Sequence, residues 1–182
     1  MEQLFAPWRI EWVKRDDKNA DIEGCPFCAL PEQPDARDAL VVAETDRSFV
    51  LLNNYPYNPG HVMVIPRSHT GDLRKLDDEA LLDHARLKQR AVDALYEGLG
   101  AEGINAGLNL GRAAGGSIGD HVHTHLVPRW HGDTNFMPIC AETKVIVEAV
   151  SATYDRLQAT FAEQEGATID DRGSGSVTIS LD

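Results

Sequence analysis

Histidines stand at positions 121, 123 and 125, in the stretch His121-Val122-His123-Thr124-His125-Leu126-Val127-Pro128-Arg129. Side chains of an extended strand alternate between faces, so this spacing predicts a strand with three imidazoles on one side and Val122, Thr124 and Leu126 on the other. The chain has seven histidines in 182 residues, which makes three in five positions more than background. Near neutral pH an imidazole can be nucleophile, general acid or base, phosphate donor or metal ligand. Such a row reads as a reaction floor, with a metal-binding patch or a chance cluster as the plainer alternatives.

The run Gly115-Gly116-Ser117-Ile118-Gly119 leads into this strand. Glycines let backbone N–H groups close around an anion, and a serine hydroxyl adds a donor. An anion cradle beside an imidazole row points to phosphate chemistry; alone, the glycines would read as a flexible turn.

His121-Val122-His123-Thr124-His125-Leu126-Val127 resembles the motif of the histidine triad (HIT) family, in which three histidines alternate with apolar residues. Thr124 departs from that pattern, on the face away from the imidazoles. Asn53 to Pro66, with its Pro59-Gly60-His61 step, is similar to the family's strand–loop–strand. Gly107-Leu108-Asn109-Leu110-Gly111, Pro128-Arg129-Trp130 and Gly132-Asp133-Thr134-Asn135-Phe136 resemble the bacterial branch related to diadenosine tetraphosphate phosphorylases. The likeness spans roughly residues 5–140.

Several expectations follow from the resemblance. His123 is the nucleophile, and Asn53 contacts the ribose. Asn109, Gly116, Ser117 and His125 hold phosphate. Cys25 and Cys28 form a Cys-x-x-Cys, which alone could be a metal grip, a redox pair or incidental. In zinc-containing members two cysteines, a histidine matching His69 and the first triad histidine complete a tetrahedral set, here Cys25, Cys28, His69 and His121. The zinc is a structural staple, no organic cofactor is implied, and the family adds a homodimer whose two sheets join.

One domain is expected over residues 1–165, with a zinc-binding part at 20–70, the triad at 121–127 and a tail at 166–182. The predicted class is α+β, an antiparallel sheet of about five strands with a long helix on one face and a C-terminal helix. Strands are expected at 40–43 and 48–52, and another over 61–65. A long helix is expected near 77–98, with Leu81, Leu82, Ala85, Val92, Leu95 and Leu99 on its apolar side and His84 in solvent. Ile104, Ala106, Leu108 and Leu110 alternate with Asn105, Gly107 and Asn109, another strand pattern. A C-terminal helix is expected at about 142–164, and the tail is ordered only if Val177-Thr178-Ile179 finds a sheet edge or a partner. The two tryptophans in residues 5–13 read as a packing anchor, and His61 as a structural histidine bonded to backbone.

A formal charge of −12 argues against a long nucleic-acid backbone as partner, while leaving room for a small nucleotide in a local pocket. No apolar run reaches membrane-span length and no signal peptide is read, so a cytoplasmic location without membrane attachment is expected. Three cysteines do not form a disulfide framework.

The expected activity is cleavage of the α-phosphate bond of adenylylated substrates such as diadenosine tetraphosphate, by a nucleotide hydrolase or transferase working through a nucleotidyl-histidine. The alternatives are a phosphate-dependent phosphorylase of the same substrates and a zinc-stapled nucleotide-binding module with little turnover.

Overall fold

The computed structural model describes residues 24–116, 118–133, 149–169 and 175–181. Its centre is a sheet of seven strands in the order β4-β5-β3-β2-β1-β7-β6. The strands are β1 Val41–Glu44, β2 Ser48–Leu52, β3 Val62–Pro66, β4 Gly103–Leu108, β5 Thr124–Arg129, β6 Ala167–Ile169 and β7 Val177–Ile179. The five expected strands pair antiparallel with one another. The expected count of about five falls short by two, because β7 adds parallel to β1 and β6 folds back antiparallel on β7. Val177 and Ile179 are buried, so the part of 166–182 expected as a tail is sheet and core where the run meets the open edge of β1.

Helix α1, Pro26–Ala29, is a single turn with proline at its start. Helix α2, Asp78–Leu99, matches the predicted long helix. Its boundaries follow from its caps. The Asp77 carboxylate accepts from the Ala80 N–H, and Gly100 closes the last turn at φ 63°, a left-handed conformation that costs glycine little. Its buried face differs from expectation: Ala80, His84, Leu87, Ala91, Ala94 and Leu95 face inward, whereas Leu81 and Leu82 are exposed. Small alanines let the helix lie close to the sheet. His84, expected in solvent, is 1% exposed and its Nε2 lies 2.9 Å from Thr124 Oγ1. Helix α3, Val150–Ala162, buries Tyr154, Leu157 and Phe161 as predicted. The expected start of this helix at 142 and the aromatic anchor at 5–13 lie outside the described residues.

The sheet has two different faces. Val50, Leu52, Val62, Val64 and Leu126 join Leu87, Ala91, Leu95, Tyr154, Leu157 and Phe161 in the main core under α2 and α3. A second apolar cluster gathers Phe27, Ala39, Val41, Phe49, Leu51, Met63 and Ile65. Met63 is the register partner of His125, which puts this cluster on the face that carries the third triad histidine. Burying this much apolar surface on both sides keeps β3 and β5 rigid where the site is built.

Candidate active site

The ladder of β5 begins at Thr124, so His121 and His123 lie on the extended approach to the strand and only His125 lies within it. The approach is still anchored: the Val122 N–H donates to Thr70 O at 2.7 Å. Gly71 lets the two segments meet, since a Cβ there would come within 2.3 Å of Gly119 O. The rings form one chain of contacts, His69 to His121 at 5.2 Å and His123 to His125 at 4.9 Å. Phe27 bridges the two pairs, at 5.6 Å from His121 and 5.0 Å from His123.

Hydrogen bonds to backbone fix which nitrogen of each ring is free. His123 Nδ1 is 2.9 Å from His121 O. A carbonyl only accepts, so Nδ1 carries the proton and Nε2 keeps its lone pair. Burial holds the His123 imidazole below its ordinary range, against the opposing pull of that carbonyl. A neutral ring with an unprotonated Nε2 has the form a nucleophile needs. His121 is turned the other way. Its Nε2 donates to Pro66 O at 2.7 Å, which leaves the Nδ1 lone pair pointing at the thiols.

Cys25 Sγ and Cys28 Sγ lie 3.4 and 3.7 Å from His121 Nδ1, and Cys28 Sγ lies 3.3 Å from His69 Nδ1. The four donor atoms fall within 4.8 Å of one another and could hold a metal ion. A tetrahedral ion with bonds of about 2.3 Å to sulfur and about 2.05 Å to nitrogen separates such donors by about 3.6 Å. The observed spacing fits, and the backbone bond that orients His121 is the outer support a metal-bound imidazole usually has.

His61, read from sequence as a structural histidine, has a further role. The Tyr57 N–H donates to its Nδ1 at 3.2 Å. In the neutral ring the proton then sits on Nε2, which is 3.0 Å from His125 Nδ1. This order leaves the His125 Nε2–H as the donor directed away from His61. Tyr57 stacks on the His61 ring at 5.0 Å and holds it flat. The Pro-Gly-His step was the signal for this relay, but its partner in the triad could not be read from the step alone.

The phosphate candidates are placed unevenly. Asn109 stands just past β4, and a Cβ on Gly116 would lie 3.2 Å from its Cβ, so these two expected donors are neighbours. Ile118 packs on the second apolar cluster, which brings the glycine loop over the triad face. Ser117 lies outside the described residues. Asn53 accepts the Tyr55 N–H on Oδ1 at 2.8 Å and so shapes the loop that ends at His61. Asp133, missed from sequence as a hub, takes a fork from Arg129 and a bond from Asn58 Nδ2 at 2.9 Å. The Arg129 guanidinium holds its carboxyl below the usual range. A cleft of about 790 Å³ between α2 and β4 touches Leu126, whose side chain lies on the helix face, and carries none of these groups.

A profile of the HIT domain matches residues 35–132. The AP-4-A phosphorylase of Mycobacterium tuberculosis is 37% identical over 169 residues, covering 90% of this chain and 86% of that protein. The adenosine 5′-monophosphoramidase of Schizosaccharomyces pombe is 35% identical over 58% of this chain and 74% of its own. Among solved structures, a zinc-bound histidine triad family protein from Mycobacterium smegmatis superposes with a TM-score of 0.62 at 30% identity, covering 77% of this chain and 94% of that one. Fold, site and relatives place the chain among enzymes of the nucleotide hydrolase/transferase class. It belongs to the HIT domain family. Among the described residues no helix is long and apolar enough to cross a membrane.

Proposed function

We propose that the protein cleaves adenylylated nucleotides of the diadenosine tetraphosphate type at the α-phosphorus, with His123 as nucleophile. The observation that carries this reading is the His123–His121 carbonyl bond, which leaves Nε2 unprotonated. Nε2 bonds to the α-phosphorus, and the bond from that phosphorus to the bridging oxygen breaks. From diadenosine tetraphosphate the leaving group is ATP and the enzyme holds an adenylyl-imidazole. The His125 Nε2–H, aligned by His61, meets charge on the phosphate oxygens and the departing oxygen, with Asn109 and the N–H of Gly116 as further donors. Attack by inorganic phosphate then releases ADP; attack by water releases AMP. Likeness to a phosphorylase over 90% of the chain favours phosphate as acceptor.

Cys25, Cys28, His69 and His121 are the residues that would hold zinc, a reading supported by their spacing and by the zinc-bound relative. Bound there, zinc would supply a structural cross-link between the α1 lobe and the triad approach. A small nucleotide as substrate, a homodimer and a cytoplasmic setting complete the reading.

Product analysis of diadenosine tetraphosphate, incubated with and without inorganic phosphate, tests the proposal. ADP plus ATP only when phosphate is present means phosphorolysis. AMP plus ATP in both means hydrolysis. Nucleotide binding without product would leave a binding module instead. His123→Ala should abolish turnover while keeping nucleotide binding; loss of folding would remove the nucleophile assignment.

A further inference from the structure

Phe27 belongs to two groups at once. It stands between Cys25 and Cys28 in the sequence, and its ring contacts the nucleophile, 5.0 Å from the His123 ring at an interplanar angle of 57°. The same ring meets His121 edge-on at 5.6 Å. Phe27 is 4% exposed, so its ring is held by the apolar cluster on one side and the imidazoles on the other. The turn that carries it is only four residues long, from Pro26 to Ala29. A helix this short has no stability of its own, because nucleation costs more than so few bonds return. The turn is held by the packing of Phe27, Cys25 and Leu30 on the second apolar cluster, and the flanking cysteines, which converge with His69 and His121 on one point, offer it a second anchor.

We propose that Phe27 is a positioning residue that couples the Cys25-Cys28-His69-His121 centre to the orientation of His123. The inference rests on His123 being the nucleophile. With the four ligands closed on zinc, the α1 turn is pinned and the Phe27 ring confines His123 against His125, with Nε2 facing the site. With the ligands open, the turn keeps its apolar packing but loses that anchor, so the Phe27 ring can shift and His123 can rock about its Nδ1 bond to His121 O while still touching His125. The metal centre thus sets nucleophile geometry as well as tying the fold together.

Histidine-ring proton and nitrogen NMR of the zinc-loaded protein, without nucleotide, reads this directly. In wild type the carbon-bound protons of His123 should be displaced by the Phe27 ring current, and its nitrogens should report a single Nδ1–H tautomer. Phe27→Leu keeps the apolar volume and removes the ring; it should lose the displacement while still binding one zinc per chain. Its kcat should fall by about tenfold to a hundredfold with KM near wild type, the cost of a misplaced reacting group. Removing zinc from wild type with a chelator should move the His123 signals in the same direction, and adding zinc back should restore them. Phe27→Tyr, which keeps the ring, should retain the wild-type pattern; together with the chelated wild type it decides the matter if the leucine variant does not fold. His123 signals unmoved by both ring loss and zinc loss would overturn the proposal. So would a raised KM with kcat intact, which would make the ring a binding wall only. Absence of turnover in zinc-loaded wild type would instead remove the catalytic reading, while the spectra still reported the Phe27–His123 coupling.

Discussion

His84 and Thr124 form a polar pair at the back of the triad strand, and Thr124 is the residue that departs from the apolar pattern of the motif. The departure has a physical cause: a buried imidazole on α2 needs a partner, and the threonine hydroxyl provides it at 2.9 Å. His84 Nδ1 has no partner among the described residues. Burial, aided by Lys88, lowers the His84 pKa to about 4 from an ordinary value of 6.5. Above pH ~6.5 the ring is neutral in folded and unfolded chains alike, so it carries no penalty. As pH falls towards 4 the unfolded chain takes up a proton that the folded chain refuses, and stability drops by an amount on the order of 3 kcal/mol. His84→Leu alone should destabilise at pH 7 by about 1–3 kcal/mol, because it strands the Thr124 hydroxyl; adding Thr124→Val should recover most of that. The double variant should also flatten the acid limb of stability between pH 7 and 5. Denaturant unfolding at the two pH values checks this; an unchanged acid limb would assign the titration elsewhere. The second residue-scale prediction concerns His61. His61→Asn should lower kcat by about tenfold or more with nucleotide affinity retained, because His125 loses the donor that fixes its tautomer. Steady-state kinetics with a binding titration separates that outcome from a folding defect.

At the scale of elements, the long helix and the β1–β2 hairpin were legible, because each is set by neighbours in sequence; the alternation of the triad was legible too, although its ladder starts only at Thr124. The rotation of α2 was not. Leu81 and Leu82 look like core by spacing, but the sheet accepts the alanine row, and packing overrides the count of large side chains. The addition of β7 was also hidden, since a run of three residues carries no sign of a parallel partner about 130 positions earlier. At the site, the triad and the Cys25-Cys28-His69-His121 cluster that could hold a metal were legible, whereas the His61–His125 relay and the Asp133 hub needed the register that brings distant segments together. The β7 finding has a consequence for stability. Val177 and Ile179 are buried in the main core, and the Ser180 N–H bonds to Gly166 O. Deleting residues 176–182 uncovers both side chains and reopens the β1 edge. A loss of about 3–6 kcal/mol is expected from the apolar burial of two such residues. Thermal unfolding of the truncated chain would show a lowered Tm, and a Tm within a degree or two of the full chain would mean that β7 contributes little.

For the whole molecule, the sheet ends on one side in β6 and on the other in β4, the strand next to the triad strand. Ile104 packs on the main core, whereas among the described residues Leu108 at the end of β4 is 37% and Leu110 just past it is 48% exposed. An uncovered edge strand offers a row of backbone donors and acceptors to another strand, and a second copy laid antiparallel along it would join the two sheets. The charge of −12 on each copy opposes that contact. If apolar and backbone contacts hold the pair against this repulsion, salt should tighten it, since screening weakens the repulsion and leaves the contacts in place. Sedimentation at rising ionic strength should therefore move the protein towards twice the chain mass. Leu108→Asp with Leu110→Asp should hold it at one chain mass without unfolding it, because neither side chain is buried in the core. Asn109 stands between these two leucines and against Gly116, so separating the copies should also loosen the proposed phosphate cradle and raise KM for the nucleotide. A wild type that stays monomeric at every salt concentration would refute the edge pairing. An unchanged KM in the monomeric variant would show that each cradle is complete within its own chain.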